Sequence, residues 1–193
     1  MVINIEYSVI YLIHEIMIWC VQTLIIIILG ILAGLFMKLA DDISDTNSKI
    51  NPKYALPLGI GYGSLMGYLM IHDTDASLLF GGIILGCLVM GKIDSLCHYL
   101  ALASILLLIF INGIKLSPLV LIIAALAAFD EMKEIFPFQG MDFIFDYRLF
   151  LKSGVLLLVV LDLIGINSII LLIAFDLAYI ITGKMNLRLI HEI

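Results

Sequence analysis

The stretch Leu24-Ile25-Ile26-Ile27-Ile28-Leu29-Gly30-Ile31-Leu32-Ala33-Gly34-Leu35-Phe36-Met37-Lys38-Leu39 holds a single charge and runs straight into Ala40-Asp41-Asp42-Ile43-Ser44-Asp45. A helix needs about 20 mostly apolar residues to cross the hydrocarbon of a bilayer, and this run with its flanks supplies them. Working outward, Ser77 to Met90, Leu100 to Ile111, Leu119 to Phe129, Gly154 to Val160 and Ile169 to Ile181 are nearly free of charge too. The chain is 63% hydrophobic and 13% charged, and no soluble core of 193 residues can bury that much apolar surface. Period-2 alternation is absent, which argues against a β-barrel. The expectation is an all-α, polytopic transmembrane helical bundle, with residues 1–193 forming a single integral membrane domain in the cell membrane.

The ends and the cysteines fit that class. Met1 to Glu6 has no basic residue and no small-residue cleavage site follows, so the first run is expected to stay as a transmembrane helix. Cys20, Cys87 and Cys97 are odd in number and sit in or beside spans, which favours buried reduced thiols over a disulfide framework. The net charge of −6 gives no nucleic-acid footprint.

The spans read as 7–40, 57–71, 76–90, 95–111, 118–129, 147–163 and 167–182: seven, or eight if the long first stretch divides in two. Ser117-Pro118 reads as an N-cap and first helical residue, and Asn167 as the cap of the last helix. Alternating the spans puts nine of the ten Lys and Arg residues on one face, leaving Lys115 on the other. The positive-inside rule makes the richer face cytoplasmic. That face carries Asp41-Asp42-Ile43-Ser44-Asp45, Gly91-Lys92-Ile93-Asp94, Asp130-Glu131-Met132-Lys133-Glu134 and Gly183-Lys184-Met185-Asn186. Both halves, 1–94 and 95–193, repeat the order apolar helix, acidic motif, two helices, Gly-Lys, as a parallel repeat of four-helix units would.

Gly30/Gly34, Gly59/Gly63/Gly67 and Gly82/Gly86 have small-xxx-small spacing, and close helix packing is the favoured explanation. Asp94 and His98 lie four apart, which fits an N-cap and its partner better than a metal pair. The aromatics from Phe136 to Phe150, with Asp142 and Asp146, read as a segment lying in the membrane interface. Asp176 differs from the other carboxylates. It lies well inside the last span, where an ionised carboxylate is costly, so its side chain is expected to face the bundle and line a polar cavity.

Asp42/Asp45 and Asp130/Glu134 are spaced to bring two carboxylates to one helix face. Two such pairs facing each other would gather negative charge suited to a hard divalent cation. Mg²⁺ takes oxygen ligands and shares its shell with phosphate oxygens. A diphosphate ester ionised between the motifs, with a lysine on the leaving group, is a coherent chemistry. The bland alternative is that these carboxylates are solvated residues at helix ends.

On these residues the chain resembles the UbiA superfamily of intramembrane prenyltransferases. Asp41-Asp42-Ile43-Ser44-Asp45 is similar to that family's first acidic motif, with Asp41 where Asn is usual and Lys49 where a further Asp is usual. Asp130-Glu131-Met132-Lys133-Glu134 looks like its second motif, and Lys92 falls where the family has a basic loop residue. The resemblance implies Mg²⁺ held by Asp41, Asp42, Asp45, Asp130, Glu131 and Glu134, with Lys92 serving catalysis; Asp176, by its place inside the last span, is a second catalytic candidate. The implied partners are membrane lipid, a prenyl diphosphate and an acceptor. A second resemblance, to the prepilin peptidase family of membrane aspartyl proteases, rests on Asp45 to Pro52 and Gly91 to Asp94. It implies a protease dyad of Asp45 and Asp94. A third class, a cation or small-solute carrier, would use the acidic face as a vestibule and Asp176 inside the bundle.

Overall fold

Apolar runs fold as helices in this chain because nothing else satisfies a backbone away from water. The computed structural model describes residues 2–45, 50–134 and 142–191, with side chains over 12–45, 50–132, 143–145 and 147–185. Among them the regular structure is all helical: α1 (Val2–Ser44), α2 (Ala55–His72), α3 (Thr74–Val89), α4 (Leu96–Asn112), α5 (Leu119–Asp130), α6 (Asp142–Asp146), α7 (Leu149–Val160) and α8 (Ile166–His191). Short 3-10 turns at Pro52–Tyr54 and Glu131–Glu134 precede α2 and follow α5.

Three helical stretches are long and apolar enough to cross a membrane: Leu12–Ser44, Pro52–His72 and Ile166–Met185. The apolar α3, α4, α5 and α7 are shorter. Large hydrophobics face outward all round, among them Phe110, Leu121, Leu157 and Val160. A surface this apolar is stable against hydrocarbon and not against water. The core gathers Leu79 and Phe80 of α3, Ile123 of α5, Leu151 and Val155 of α7, and Leu171 and Phe175 of α8. Phe80 and Phe175 meet edge to face, centroids 5.5 Å apart.

Helix directions follow from which residues touch. Gly30 lies against Leu171 and Ala174, and Gly34 against Phe175 and Ala178, so α1 and α8 run parallel. By the same logic α2 runs parallel to α4 (Gly59 on Cys97, Gly63 on Ala101) and α3 to α5 (Gly82 on Ile123, Gly86 on Ala127). Helix α7 returns antiparallel to α5, with Gly154 beside Leu126 and Asp130 beside Leu151. The glycine stripes are therefore packing surfaces: a Cβ on Gly34 would collide with the Phe175 carbonyl, and one on Gly63 with the Ala101 backbone. The C-terminal ends of α1, α3, α5 and α8 and the N-terminal ends of α2, α4 and α7 share one end of the bundle.

The boundaries correct several expectations. Helix α1 is a single unbroken helix of 43 residues, about 65 Å long at about 1.5 Å per residue, so the first stretch does not divide. Side chains from Leu12 to Gln22, Cys20 included, are exposed, and Thr23 is the first buried one among the described side chains of α1. Helix α8 continues past Thr182 to His191, which places Gly183-Lys184-Met185-Asn186 in a helix and not in a loop. Asn167 lies inside α8 and donates to Asp73 Oδ2 at 3.4 Å. The N-cap of α4 is Ser95, and Asp94 is exposed in the loop before it. Helix α5 has Pro118 at its cap, one residue later than the Ser117 reading. At the end of the bundle away from the acidic motifs, Asp73 caps α3 by accepting from Ala76 N–H at 2.7 Å. Asp75 there accepts from Gly165 N–H at 2.9 Å, tying the starts of α3 and α8 together.

Candidate functional site

The ends of α1, α3, α5 and α8 and the starts of α4 and α7 surround a cavity of about 270 Å³. Its rim is polar and charged: Asp41, Tyr62, Lys92, His98, Glu131, Arg148 and Tyr179. Its inner wall is apolar, with Met66, Ile83, Ile84, Leu102, Ile105 and Phe175 among the lining residues. Charged residues gather at this end because most lie near where an apolar helix starts or stops, while α8 runs on past the rim to His191.

Four helices contribute to one chain of polar contacts. Tyr179 of α8 donates its hydroxyl to Asp41 Oδ2 of α1 at 2.7 Å. Nε2 of His98, on α4, lies 3.2 Å from Asp41 Oδ1, and its Nδ1 meets the Tyr62 hydroxyl of α2 at 2.6 Å. His98 thus sits between Asp41 and Tyr62, bonded to the Tyr62 hydroxyl, while the buried Asp41 Oδ1 beside its Nε2 has no hydrogen-bond partner. Cations flank the chain: Lys38 and Arg148 lie over the Tyr179 ring at 5.1 and 5.7 Å.

On the other side of the rim, Glu131 takes two cations. Arg148 Nη2 lies 3.1 Å from Glu131 Oε1 and Lys92 Nζ 3.7 Å from Oε2. Burial opposes the charge on Arg148, but Glu131 above all, then Tyr179, Cys87 and Asp176, hold its guanidinium above the usual value. Arg148 has φ 50° and ψ 50°, the left-handed region that side chains rarely adopt.

Of the sequence-derived site residues, Asp41, Lys92 and Glu131 come together here, one from each of three motifs. The others lie elsewhere. Asp42 pairs with Lys38, one turn back on α1, at 2.7 Å. Asp130 is 5% exposed and accepts from the backbone N–H groups of Phe150 and Leu151 at 3.1 and 2.7 Å, so it caps α7. Asp45 and Asp94 are both exposed, outside the cavity lining. The Glu134 side chain and Lys49 fall outside the described residues. Asp176 faces the bundle as expected, 4% exposed, but it forms an ion pair with Lys152 of α7 and is not part of the cavity lining. Phe175 and Tyr179, four apart and on one face of α8, line the cavity in its place.

Sequence reasoning missed His98, Arg148, Tyr62 and Tyr179. His98 carried a signal, its spacing from Asp94, but its partner is on another helix. Tyr179 was legible only as a neighbour of Asp176.

A magnesium ion would need carboxylate oxygens free to bind it. Asp41 is engaged by Tyr179 and His98, Glu131 by Arg148 and Lys92, Asp42 by Lys38 and Asp130 by the α7 backbone. Among the described residues no group of three or more His, Cys, Asp or Glu is placed to hold a metal. These four carboxylates are thus each taken up by protein partners rather than gathered around one point. Compared with protein-family models, with curated proteins and with solved structures, the chain matches none.

Proposed function

We propose that the chain is a multi-pass membrane protein, with α1, α2, α3, α4, α5, α7 and α8 as seven spans, that binds a prenyl diphosphate and transfers its prenyl group to an acceptor. The observation that carries this reading is the convergence of Asp41, Lys92 and Glu131, with Arg148 and His98, on the rim of one otherwise apolar cavity. An amphiphile with an anionic head and a hydrocarbon tail matches that division of polarity. At about 270 Å³ the cavity falls just below the roughly 300 to 1,000 Å³ of ligand pockets, so the tail is short.

In this reading the tail lies along Met66, Ile83, Ile105 and Phe175, where water is excluded. The C–O bond to the diphosphate breaks as the acceptor's oxygen, nitrogen or carbon bonds to the prenyl carbon. Lys92 and Arg148 stabilise charge growing on the departing diphosphate. The acceptor's proton passes to the Tyr62 oxygen as Tyr62 hands its own hydroxyl proton to His98 Nδ1, and Asp41 beside Nε2 stabilises the imidazolium. Two cations of the rim, Lys92 and Arg148, support the head. The excess of Lys and Arg puts this end on the cytoplasmic side. With α1 and α5 running the same way into the two acidic motifs, the halves have the sense of a parallel repeat.

Purified protein should bind geranyl diphosphate in a calorimetric titration, and Lys92→Ala with Arg148→Ala should abolish that binding. Failure of the folded wild-type protein to bind any prenyl diphosphate, with or without Mg²⁺, would rule the reading out. The protease reading gains nothing from Asp45 and Asp94, which lie outside the cavity lining.

A further inference from the structure

Glu131 stands where an anionic ligand would stand. Its two carboxylate oxygens each face a different cation, Arg148 on Oε1 and Lys92 on Oε2. A phosphate or diphosphate presents two oxygens to a guanidinium and an ammonium in the same manner. We propose that Arg148 and Lys92 form a diphosphate-binding site that Glu131 occupies as an internal stand-in, leaving when the ligand arrives. The proposal rests on the reading above for the anionic head, but not for the prenyl tail.

Both cations are set in place by unusual backbone. Arg148 is one of two described non-glycine residues with positive φ, the other being Asp162. It stays there because its N–H donates to Phe145 O at 3.0 Å, its carbonyl accepts from Lys152 N–H at 3.2 Å, and its guanidinium rests over Tyr179. Lys92 follows Gly91, whose φ of 67° turns the chain off α3, and Lys92 N–H donates to Cys87 O at 2.9 Å. Strained or left-handed positions persist where the surroundings over-determine them, and such positions concentrate at ligand sites.

Glu131 can leave at small cost. Its side chain is 18% exposed, against 24% for Lys92 and 25% for Arg148, so all three already touch the mouth of the cavity. It sits on the 3-10 turn that ends α5, not in the middle of a helix. A diphosphate carries more negative charge than one carboxylate and takes both cations at once, so it wins the exchange although each cation–carboxylate contact is lost.

The test is titration of purified protein with inorganic pyrophosphate, then with geranyl diphosphate. Glu131→Gln keeps the shape and removes the charge. It should bind pyrophosphate roughly tenfold more tightly, because a site occupied by its own carboxylate for about nine-tenths of the time loses that factor in apparent affinity. Glu131→Asp, whose shorter side chain reaches the cations less well, should fall between. Arg148→Lys should weaken binding, since the two-pronged contact is lost. A Glu131→Gln protein that melts like wild type yet binds pyrophosphate no more tightly overturns the proposal. If that variant does not fold, Glu131→Asp decides by the same criterion. Tighter pyrophosphate binding with no added affinity from the geranyl tail would leave the stand-in correct and the prenyl reading wrong. Absence of pyrophosphate binding in wild type and both variants would overturn the stand-in, whatever geranyl diphosphate does.

Discussion

The Tyr179 hydroxyl donates to Asp41 Oδ2 at 2.7 Å, joining the last helix to the first across 138 residues of chain. It holds the parallel pair α1 and α8 in register at the rim of the cavity. Tyr179→Phe should leave Asp41 short of a donor in a partly buried setting, lowering stability by about 2 kcal/mol, the usual range for a bond to a charged group. Reversible unfolding in mixed micelles would check this, and an unchanged unfolding midpoint would contradict it.

Asp130 acts as a cap, and its removal should show that. Asp130→Ala should cost about 1 to 2 kcal/mol, as loss of an N-cap does, while pyrophosphate binding to the protein that remains folded stays within about twofold. A metal or substrate role would give the opposite pattern, intact stability with lost binding.

Lys152 and Asp176 offer a test by double substitution. Asp176→Leu alone removes the ion-pair partner of Lys152, whose ammonium keeps its bond to the Tyr147 carbonyl at 2.6 Å, and should cost about 1 to 3 kcal/mol. Lys152→Met combined with Asp176→Leu should recover most of that loss, because a buried ion pair replaced by apolar side chains of similar volume is close to neutral. Thermal melts of the four proteins in the cycle give the answer. A carrier in which Asp176 is the ion-binding group would lose transport in the stable double variant.

At the α1–α8 contact, Gly34→Val should separate the two helices, since even a Cβ meets the Phe175 carbonyl. The expected penalty is about 1 to 3 kcal/mol, the usual cost of overpacking, with loss of the Tyr179–Asp41 bond. Parallel melting and pyrophosphate titration should both suffer, whereas Gly113→Ala, which meets no atom within 4 Å but has φ 76°, should affect stability alone.

Sidedness can be read by labelling single cysteines in cells. Met185→Cys should react from the cytoplasm, and Thr74→Cys and Lys115→Cys from outside. Thr74 labelled from the cytoplasm would overturn the seven-span reading. Thr46, just after the first acidic motif in sequence, lies outside the described residues.

Charge-free runs, glycine stripes and the gathering of acidic motifs between them were determined by the sequence itself. Each is a local property: a run of isoleucine and leucine folds as a helix in lipid whatever its neighbours do, and its polar flanks must fall at its ends. That is why the helices agree with expectation to within a few residues over 55–130, and why Asp41, Lys92 and Glu131 lie at one end of the bundle. What the sequence left open was rotation and partnership. Successive helical residues point about 100° apart, so an error of one residue in a helix's facing exchanges a cavity wall for a lipid surface or a neighbouring helix. Asp41 and Asp42 are adjacent, yet one meets Tyr179 and His98 while the other meets Lys38. Asp130 and Glu131 are adjacent, yet one caps α7 and the other binds Arg148 and Lys92. Only the packing of α1 on α8, α2 on α4 and α5 on α7 decided which carboxylate of each pair faces the cavity. No local pattern encodes that choice, because it depends on the backbone approach of residues far apart in the chain.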